Sequence, residues 1–119
     1  MNQGKKLTGG KYHSSRKKKL YEKQNQRKHP SLGKTSLKTV RVKGGNTKTF
    51  VLKTNIANII VDGKAKKADI INVEETPQNR FFARQNLLYK GALIETSLGK
   101  ARITNRPTKE GCVNAILIK

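Results

Sequence analysis

The sequence predicts an all-β domain that follows a strongly basic N-terminal arm. From Leu37 onward, short clusters of β-branched and aliphatic residues alternate with glycine-containing turns, which is the pattern of short strands joined by tight connections. This region contains no long segment with the 3.6-residue period of an amphipathic helix. The pattern fits a sandwich or a barrel. A closed barrel is favoured at this size because closure leaves no strand edge exposed.

The arm is defined by its charge and by its lack of an apolar pattern. The first 50 residues contain 15 Lys and Arg but a single acid, Glu22. Before Leu37 the few apolar residues are scattered without a helical or strand period, so this segment cannot bury enough surface to offset the entropy of ordering it. We therefore expect residues 1–36 to be disordered without a partner and residues 37–119 to form the folded domain.

The strands of the domain follow from local patterns. Residues 37–43 alternate Val40 and Val42 with polar side chains, as a half-buried strand does, and residues 44–46 supply the turn of a hairpin. The further segments with strand character are residues 47–54, 56–61, 66–74, 92–96, 100–104 and 112–118. Residues 77–89 fit this pattern least, and they form either an excursion with one helical turn or an extended crossover.

No arrangement of residues in the sequence predicts catalysis or metal binding. Glu74 and Glu75 are adjacent, so on a strand their carboxylates point to opposite faces and form no acid–base pair. His13 and His29 lie in the arm without cysteines or carboxylates clustered nearby, whereas a zinc site needs about four ligands with local pairing. We expect both imidazoles to contact phosphate or solvent, and we expect a protein that is not an enzyme and needs no cofactor.

The net charge of +20 predicts a polyanionic partner, because so small a chain with that charge repels itself. Nucleic acid is the first candidate and an anionic membrane surface is the second. The sequence contains no apolar run of transmembrane length, and its start lacks the pattern of a signal peptide. The single cysteine, Cys112, fits a reducing compartment. Composition does not separate DNA from RNA, but a basic arm on a small β-domain suits folded RNA with closely packed phosphates.

A series of motifs resembles one protein family over nearly the whole chain, from Thr8 to Ile118. In order, the motifs are Thr8-Gly9-Gly10, Arg16-Lys17-Lys18-Lys19-Leu20-Tyr21-Glu22, Arg41-Val42-Lys43-Gly44-Gly45-Asn46, Lys90-Gly91-Ala92-Leu93-Ile94-Glu95-Thr96, Gly99-Lys100-Ala101-Arg102, Arg106-Pro107 and Gly111-Cys112-Val113-Asn114-Ala115. With these motifs the chain resembles the S-eight-e family, which is small-subunit ribosomal protein eight of archaeal and eukaryotic ribosomes. Its length is similar to that of archaeal members.

The resemblance implies a small six-stranded antiparallel barrel with a long basic N-terminal extension. It also implies a structural constituent of the small, 30S-type ribosomal subunit in the cytoplasm. In that role the protein binds and stabilises small-subunit ribosomal RNA beside other small-subunit ribosomal proteins, with no membrane and no small-molecule substrate as partner.

The predicted RNA-binding residues are mainly cations of the arm and of the first hairpin. Those of the arm are Lys5, Lys6, Gly9, Gly10, Lys11, Arg16, Lys17, Lys18, Lys19, Lys23 and Arg27. Those of the domain are Arg41, Lys43, Asn46, Lys48, Arg102 and Arg106. The two glycines are included because they let the backbone pass close to phosphates. Lys11 stands where the family usually has Arg, and Lys meets phosphate as a point charge rather than bidentately.

Two other functions remain open at this point. One is a ribosome-assembly factor of the same domain family, although that relative is much longer. The other is a DNA-compacting basic protein, which would bind duplex DNA as well as ribosomal RNA and would not sediment with small subunits at high salt.

Overall fold

Strands provide most of the regular structure in the computed structural model, which describes residues 4–13, 15–24 and 26–118. The strands are β1 (Ser31–Leu32), β2 (Ser36–Arg41), β3 (Thr47–Thr54), β4 (Ile56–Val61), β5 (Lys64–Glu75), β6 (Leu93–Thr96), β7 (Gly99–Ile103) and β8 (Asn114–Leu117). The helices are α1 (Arg80–Arg84) and α2 (Pro107–Glu110), and Leu20–Glu22 forms one 3₁₀ turn. Within the described ranges, neither helix is long and apolar enough to span a membrane.

The last five strands close into a barrel in the order β4-β5-β6-β7-β8. Neighbouring strands are antiparallel except at the closure, where β4 pairs with β8 in parallel and Asn58 lies opposite Asn114. The predicted closed barrel is confirmed, but the predicted count of six strands, all antiparallel, is wrong. Because β8 pairs directly with β4, neither strand keeps a free edge for a sixth strand.

The barrel interior is filled by alternate residues of its strands. In β7 Ala101 and Ile103 are buried while Arg102 is exposed, as the period-two pattern predicts. The largest fully buried side chains of the barrel core come from three strands and from the segments before β6 and β8. They are Ile59, Leu88, Ile94, Ile103 and Val113.

The first hairpin lies outside the barrel in a second sheet of order β1-β3-β2. β2 and β3 are antiparallel, and at the turn the Val42 N–H donates to the Asn46 carbonyl over 2.7 Å. Helix α2 packs against β3, and it ends at Gly111, where an added Cβ would lie 3.4 Å from atoms of Thr49. The hairpin is therefore held against the barrel by α2 as well as by its own connection to β4.

The chain just before β2 is also anchored to the barrel. Pro30 is fully buried, and its carbonyl accepts a 2.8 Å hydrogen bond from the Leu88 N–H. The Leu32 N–H donates to the Asn86 carbonyl over 2.9 Å, while β1 runs parallel to β3. The division at residues 36 and 37 stays a prediction, and this anchored segment lies on its N-terminal side. Residues 1–3, 14 and 25 of the predicted arm lie outside the described residues.

The segment that fitted the strand pattern least contains helix α1. The side chain of Asn79 accepts a 2.9 Å hydrogen bond from the Phe81 N–H and so caps the first turn. Of the two alternatives for residues 77–89, the excursion with one helical turn is the observed one. The turn places Phe82 towards Tyr89 and leaves Phe81 60% exposed.

Candidate nucleic-acid interface

The tip of the β2–β3 hairpin gathers four predicted RNA-binding residues. Arg41 is the last residue of β2 and lies opposite Thr47, so that Lys43 and Asn46 fall in the connecting turn and Lys48 follows on β3. All four residues are exposed. The hairpin register therefore brings together a group that the sequence distributes over eight positions.

One face of the hairpin is cationic, and we call Lys28, Lys38 and Lys48 the hairpin cations. Lys38 lies opposite Phe50, and Lys48 lies opposite Val40, which places these four side chains on one face. Lys28 joins them from the preceding segment, with its Nζ 3.1 Å from the centroid of the Phe50 ring. Partial burial, together with the positive charge of Lys38, lowers the pKa of Lys28 from its ordinary value.

The sequence interpretation missed two of the hairpin cations, Lys28 and Lys38. The period-two alternation of β2 already placed Lys38 with Val40 and so was a usable signal. Lys28 had only its position beside Arg27 as a signal, because its contact with Phe50 joins residues 22 positions apart in the sequence.

The basic segment from Lys5 to Lys11 forms a closed loop. Lys5 and Lys11 pair as an isolated antiparallel bridge. Between them, the Lys6 N–H donates to the Gly10 carbonyl and the Gly9 N–H donates to the Lys6 carbonyl, both over 2.9 Å. Gly9 has φ +78°, a conformation that glycine adopts without steric cost. The loop presents its three lysines to solvent.

The basic motif from Arg16 to Lys23 contains an internal ion pair. The Arg16 guanidinium donates two hydrogen bonds to Glu22, of 2.9 and 2.7 Å, and Glu22 also accepts from the Lys19 N–H over 3.0 Å. Glu22 raises the pKa of Arg16, and Arg16, followed by the Lys19 N–H, lowers the pKa of Glu22. The other predicted cations of this motif, Lys17, Lys18, Lys19 and Lys23, have exposed side chains.

Arg27 and Arg106 border a pair of adjoining pockets beside an aromatic cluster. Arg27 lines a pocket of 430 Å³ with His29, Phe82 and Tyr89, and Arg106 lines one of 210 Å³ that also contains Tyr89. The rings of Phe82 and Tyr89 are stacked with centroids 5.0 Å apart, and His29 Nδ1 is hydrogen-bonded to the Tyr89 hydroxyl. The larger pocket thus combines aromatic rings with cations.

Arg102 lies apart from the other predicted RNA-binding residues. It projects from the outside of β7 and lines a separate pocket with Glu75 and Leu93. On the same side of the barrel, Lys100 Nζ forms a 2.7 Å ion pair with Glu74, which raises the pKa of Lys100. Arg102 therefore stands near carboxylates, and the structure does not join it to the hairpin tip.

Acidic, histidine and cysteine side chains form no group of three or more that is suited to a metal ion in the part of the chain that the structure describes. Cys112 is half-buried, with its Sγ 3.9 Å from Asn105 Nδ2 and 3.7 Å from Asn114 Oδ1.

Comparisons with known proteins agree with the motifs. Residues 1–118 match the family model described as ribosomal protein S8e. The chain is 45% identical over 116 residues to small ribosomal subunit protein eS8 of Methanocorpusculum labreanum, which covers 96% of this chain and 93% of that protein. It is 45% identical over 117 residues to the protein of the same name in Methanococcus aeolicus, covering 95% and 91%. It is 40% identical over 114 residues to that of Haloarcula marismortui, covering 96% and 93%.

Proposed function

Because this chain belongs to the ribosomal protein S8e family, it is a structural constituent of the small ribosomal subunit, and we propose that its hairpin and N-terminal cations hold the RNA. Its partners are small-subunit ribosomal RNA and neighbouring ribosomal proteins, in ribosomes of the cytoplasm. The family is one of structural proteins rather than enzymes.

The hairpin tip carries the proposal. Arg41, Lys43 and Lys48 lie at the tip of one hairpin, with Arg41 and Lys48 on opposite faces, and the amide of Asn46 adds a neutral hydrogen-bonding group. Helix α2 packs against β3. The hairpin is therefore already ordered before it docks on phosphates. Preorganised cations on a supported element lose less conformational entropy on binding than cations on a flexible chain.

The arm is the second part of the proposal. The segment of residues 30–32 at the end of the predicted arm, residues 1–36, is already hydrogen-bonded to the barrel, and the arm before it becomes further ordered as its lysines and arginines meet phosphates. The shape of the described chain supports an extended contact: its radius of gyration is 21.2 Å and its extents are 72 × 37 × 23 Å, whereas a compact chain of this length has a radius of gyration of about 14 Å. The basic loop that includes Gly9 and the run from Arg16 to Lys19 would then reach RNA far from the barrel.

The hairpin site is tested by comparing the loss of two cations there with the loss of two cations from a different hairpin. The variant Lys43→Ala/Lys48→Ala removes two cations from the proposed site. The matched control, Lys64→Ala/Lys66→Ala, removes two exposed cations from the β4–β5 hairpin. Binding to small-subunit ribosomal RNA is measured at several salt concentrations, and incorporation into small subunits is measured by gradient sedimentation.

We expect the Lys43→Ala/Lys48→Ala variant to reduce the log–log salt slope of RNA binding by about one unit for each phosphate that is no longer neutralised. We expect the control pair to leave the slope nearly unchanged. Equal reductions in the two variants would mean that only net charge matters and would refute the hairpin as the site. Sedimentation with duplex DNA, or with precursor particles alone, would favour the DNA-compacting protein or the assembly factor.

A further inference from the structure

The pocket beside the aromatic cluster has features that non-specific phosphate binding does not require. Its walls include the stacked rings of Phe82 and Tyr89 and the imidazole of His29, which is hydrogen-bonded to the Tyr89 hydroxyl. Phe82 and Tyr89 are each half-buried, and neither belongs to the core inside the barrel. The rings therefore present apolar surface to a cavity that opens to solvent.

Polar groups surround these rings on several sides. Arg27 contributes a cation from the segment before β1, where Lys28 also lines the pocket although its Nζ lies over the Phe50 ring. Gln78 and Thr108 contribute an amide and a hydroxyl from later parts of the chain. The side chain of Gln78 donates to the Lys90 carbonyl over 3.0 Å, which leaves its carbonyl oxygen as an acceptor towards other groups. The adjoining pocket adds a second cation, Arg106.

The combination of aromatic rings, cations, an amide and a hydroxyl favours one kind of occupant, a nucleotide whose base is not paired or stacked in a helix. Such a base offers a flat face for aromatic rings and polar edges for the amide and hydroxyl, while its phosphate carries the charge that complements the cations. The cavity of 430 Å³ lies in the range of about 300 to 1,000 Å³ that is usual for sites of small ligands. A base inside a duplex has no exposed face with which to enter.

We propose that the pocket between the segment before β1, helix α1 and helix α2 binds a single unstacked nucleotide of the RNA, with the base against Phe82 and Tyr89 and its phosphate on Arg27. This inference rests on the proposed function and deepens it, because it names the RNA feature that the protein recognises. The hairpin and the arm neutralise phosphates of any RNA, whereas the pocket selects an unpaired position.

The test compares two aromatic residues, of which one lies in helix α1 and the other lies in the segment that follows it. The variant Tyr89→Leu removes a ring that lines the pocket. The matched control, Phe81→Leu, removes the 60% exposed ring of helix α1, which has Arg84 5.7 Å from its centroid but lines no part of this pocket. The full-length chain is titrated with a short single-stranded RNA of mixed sequence and with the duplex of the same length, and wild-type incorporation into small subunits is measured in parallel.

We expect Tyr89→Leu to lose about 5-fold to 100-fold in affinity for the single strand, as loss of one stacked base does. We expect its affinity for the duplex to remain unchanged, and we expect Phe81→Leu to behave as the wild type with both RNAs. No loss, or an equal loss on both RNAs, would overturn the inference. Subunit incorporation by the wild type tests the proposed function separately, so a wild type that enters subunits but binds neither RNA would overturn this inference alone.

A second variant keeps the inference testable if Tyr89→Leu does not fold. Thr108→Met extends an unbranched apolar side chain into the pocket from α2 without removing or adding a ring, and Lys109→Met places the same side chain at the next position, outside the pocket lining. We expect Thr108→Met alone to lose the preference for the single strand. Retention of that preference with the pocket filled would overturn the inference.

Discussion

At the scale of single residues, Arg16 and Lys17 show that neighbours in one basic run differ in what they offer RNA. The guanidinium of Arg16 already donates two hydrogen bonds to Glu22, whereas the ammonium of Lys17 projects into solvent. Water screens both charges of this exposed ion pair, so the pair adds little stability and RNA phosphates can replace Glu22 at low cost. Arg16 then stays a proposed RNA-binding residue, and Glu22 orders it before binding.

The environment of Tyr89 can be measured through the ionisation of its phenol. Burial raises the pKa of its phenol above the ordinary tyrosine value, and the positive charge of Arg27 opposes this only in part. The unfolded chain therefore ionises first as pH rises, so the folded state loses stability through the alkaline range. We expect an absorbance titration to show a tyrosine that ionises late, and we expect that late component to disappear in denaturant and in Tyr89→Phe. A late component that persists in Tyr89→Phe would assign it to a different tyrosine.

At the scale of elements, β4 shows how a single strand contributes to the core and to closure. Ala57 and Ile59 point into the barrel, and Ile60 on the other face is 49% exposed. The same strand pairs with β5 on one side and with β8 on the other, so it closes the barrel. The sequence marked residues 56–61 as an apolar cluster, but which side chains face inward depended on the pairing partners.

Two adjacent isoleucines provide a matched test of which face of β4 lies inside the barrel. We expect Ile59→Ala to lower the free energy of unfolding by about 2 to 5 kcal/mol, because it leaves a cavity in the barrel interior. We expect Ile60→Ala to cost less than about 1 kcal/mol, because that side chain is already half in water. Denaturant unfolding of the two variants measures the difference. Similar losses would contradict the described orientation of β4.

At the scale of the whole molecule, charge is separated between two regions. Four of the seven acids, Asp69, Glu74, Glu75 and Glu95, lie on the neighbouring strands β5 and β6. The first 50 residues, which include the hairpin tip, hold 15 of the 27 cations and a single acid. Strand β5 also carries Lys64, Lys66 and Lys67, so the barrel is less basic than the first 50 residues rather than acidic. The resulting field orients the protein with its first 50 residues towards the RNA.

The contribution of the arm is measured by replacing Arg16, Lys17, Lys18 and Lys19 together by Ala. If all four side chains bind phosphate, we expect the log–log salt slope of RNA binding to fall by about three to four units. The control variant Lys17→Arg/Lys18→Arg/Lys19→Arg keeps the charge and should keep the slope. Incorporation into small subunits with an unchanged slope in the alanine variant would show that the arm does not bind RNA.

Local patterns predicted much of this protein correctly. Short apolar clusters bounded by turn signals located β3 and β4 at their observed bounds, because such clusters depend only on neighbours along the chain. The ordered motifs from Thr8 to Ile118 indicated the family, and the composition indicated a polyanionic partner. These properties need no knowledge of which strands pair. The pocket was not predicted, because His29, Phe82, Tyr89 and Thr108 come from distant parts of the chain.

The class of fold, the approximate strand positions, the basic character and the family can thus be predicted from the order of the residues. Three features depend on the folded chain: five strands close the barrel through a parallel pair, Lys28 joins Lys38 on the hairpin face, and an aromatic pocket lies beside Arg27. Local propensity acts between near neighbours, whereas strand partnership and pocket formation depend on packing and hydrogen bonding between segments far apart in the chain, and several pairings satisfy the same local pattern.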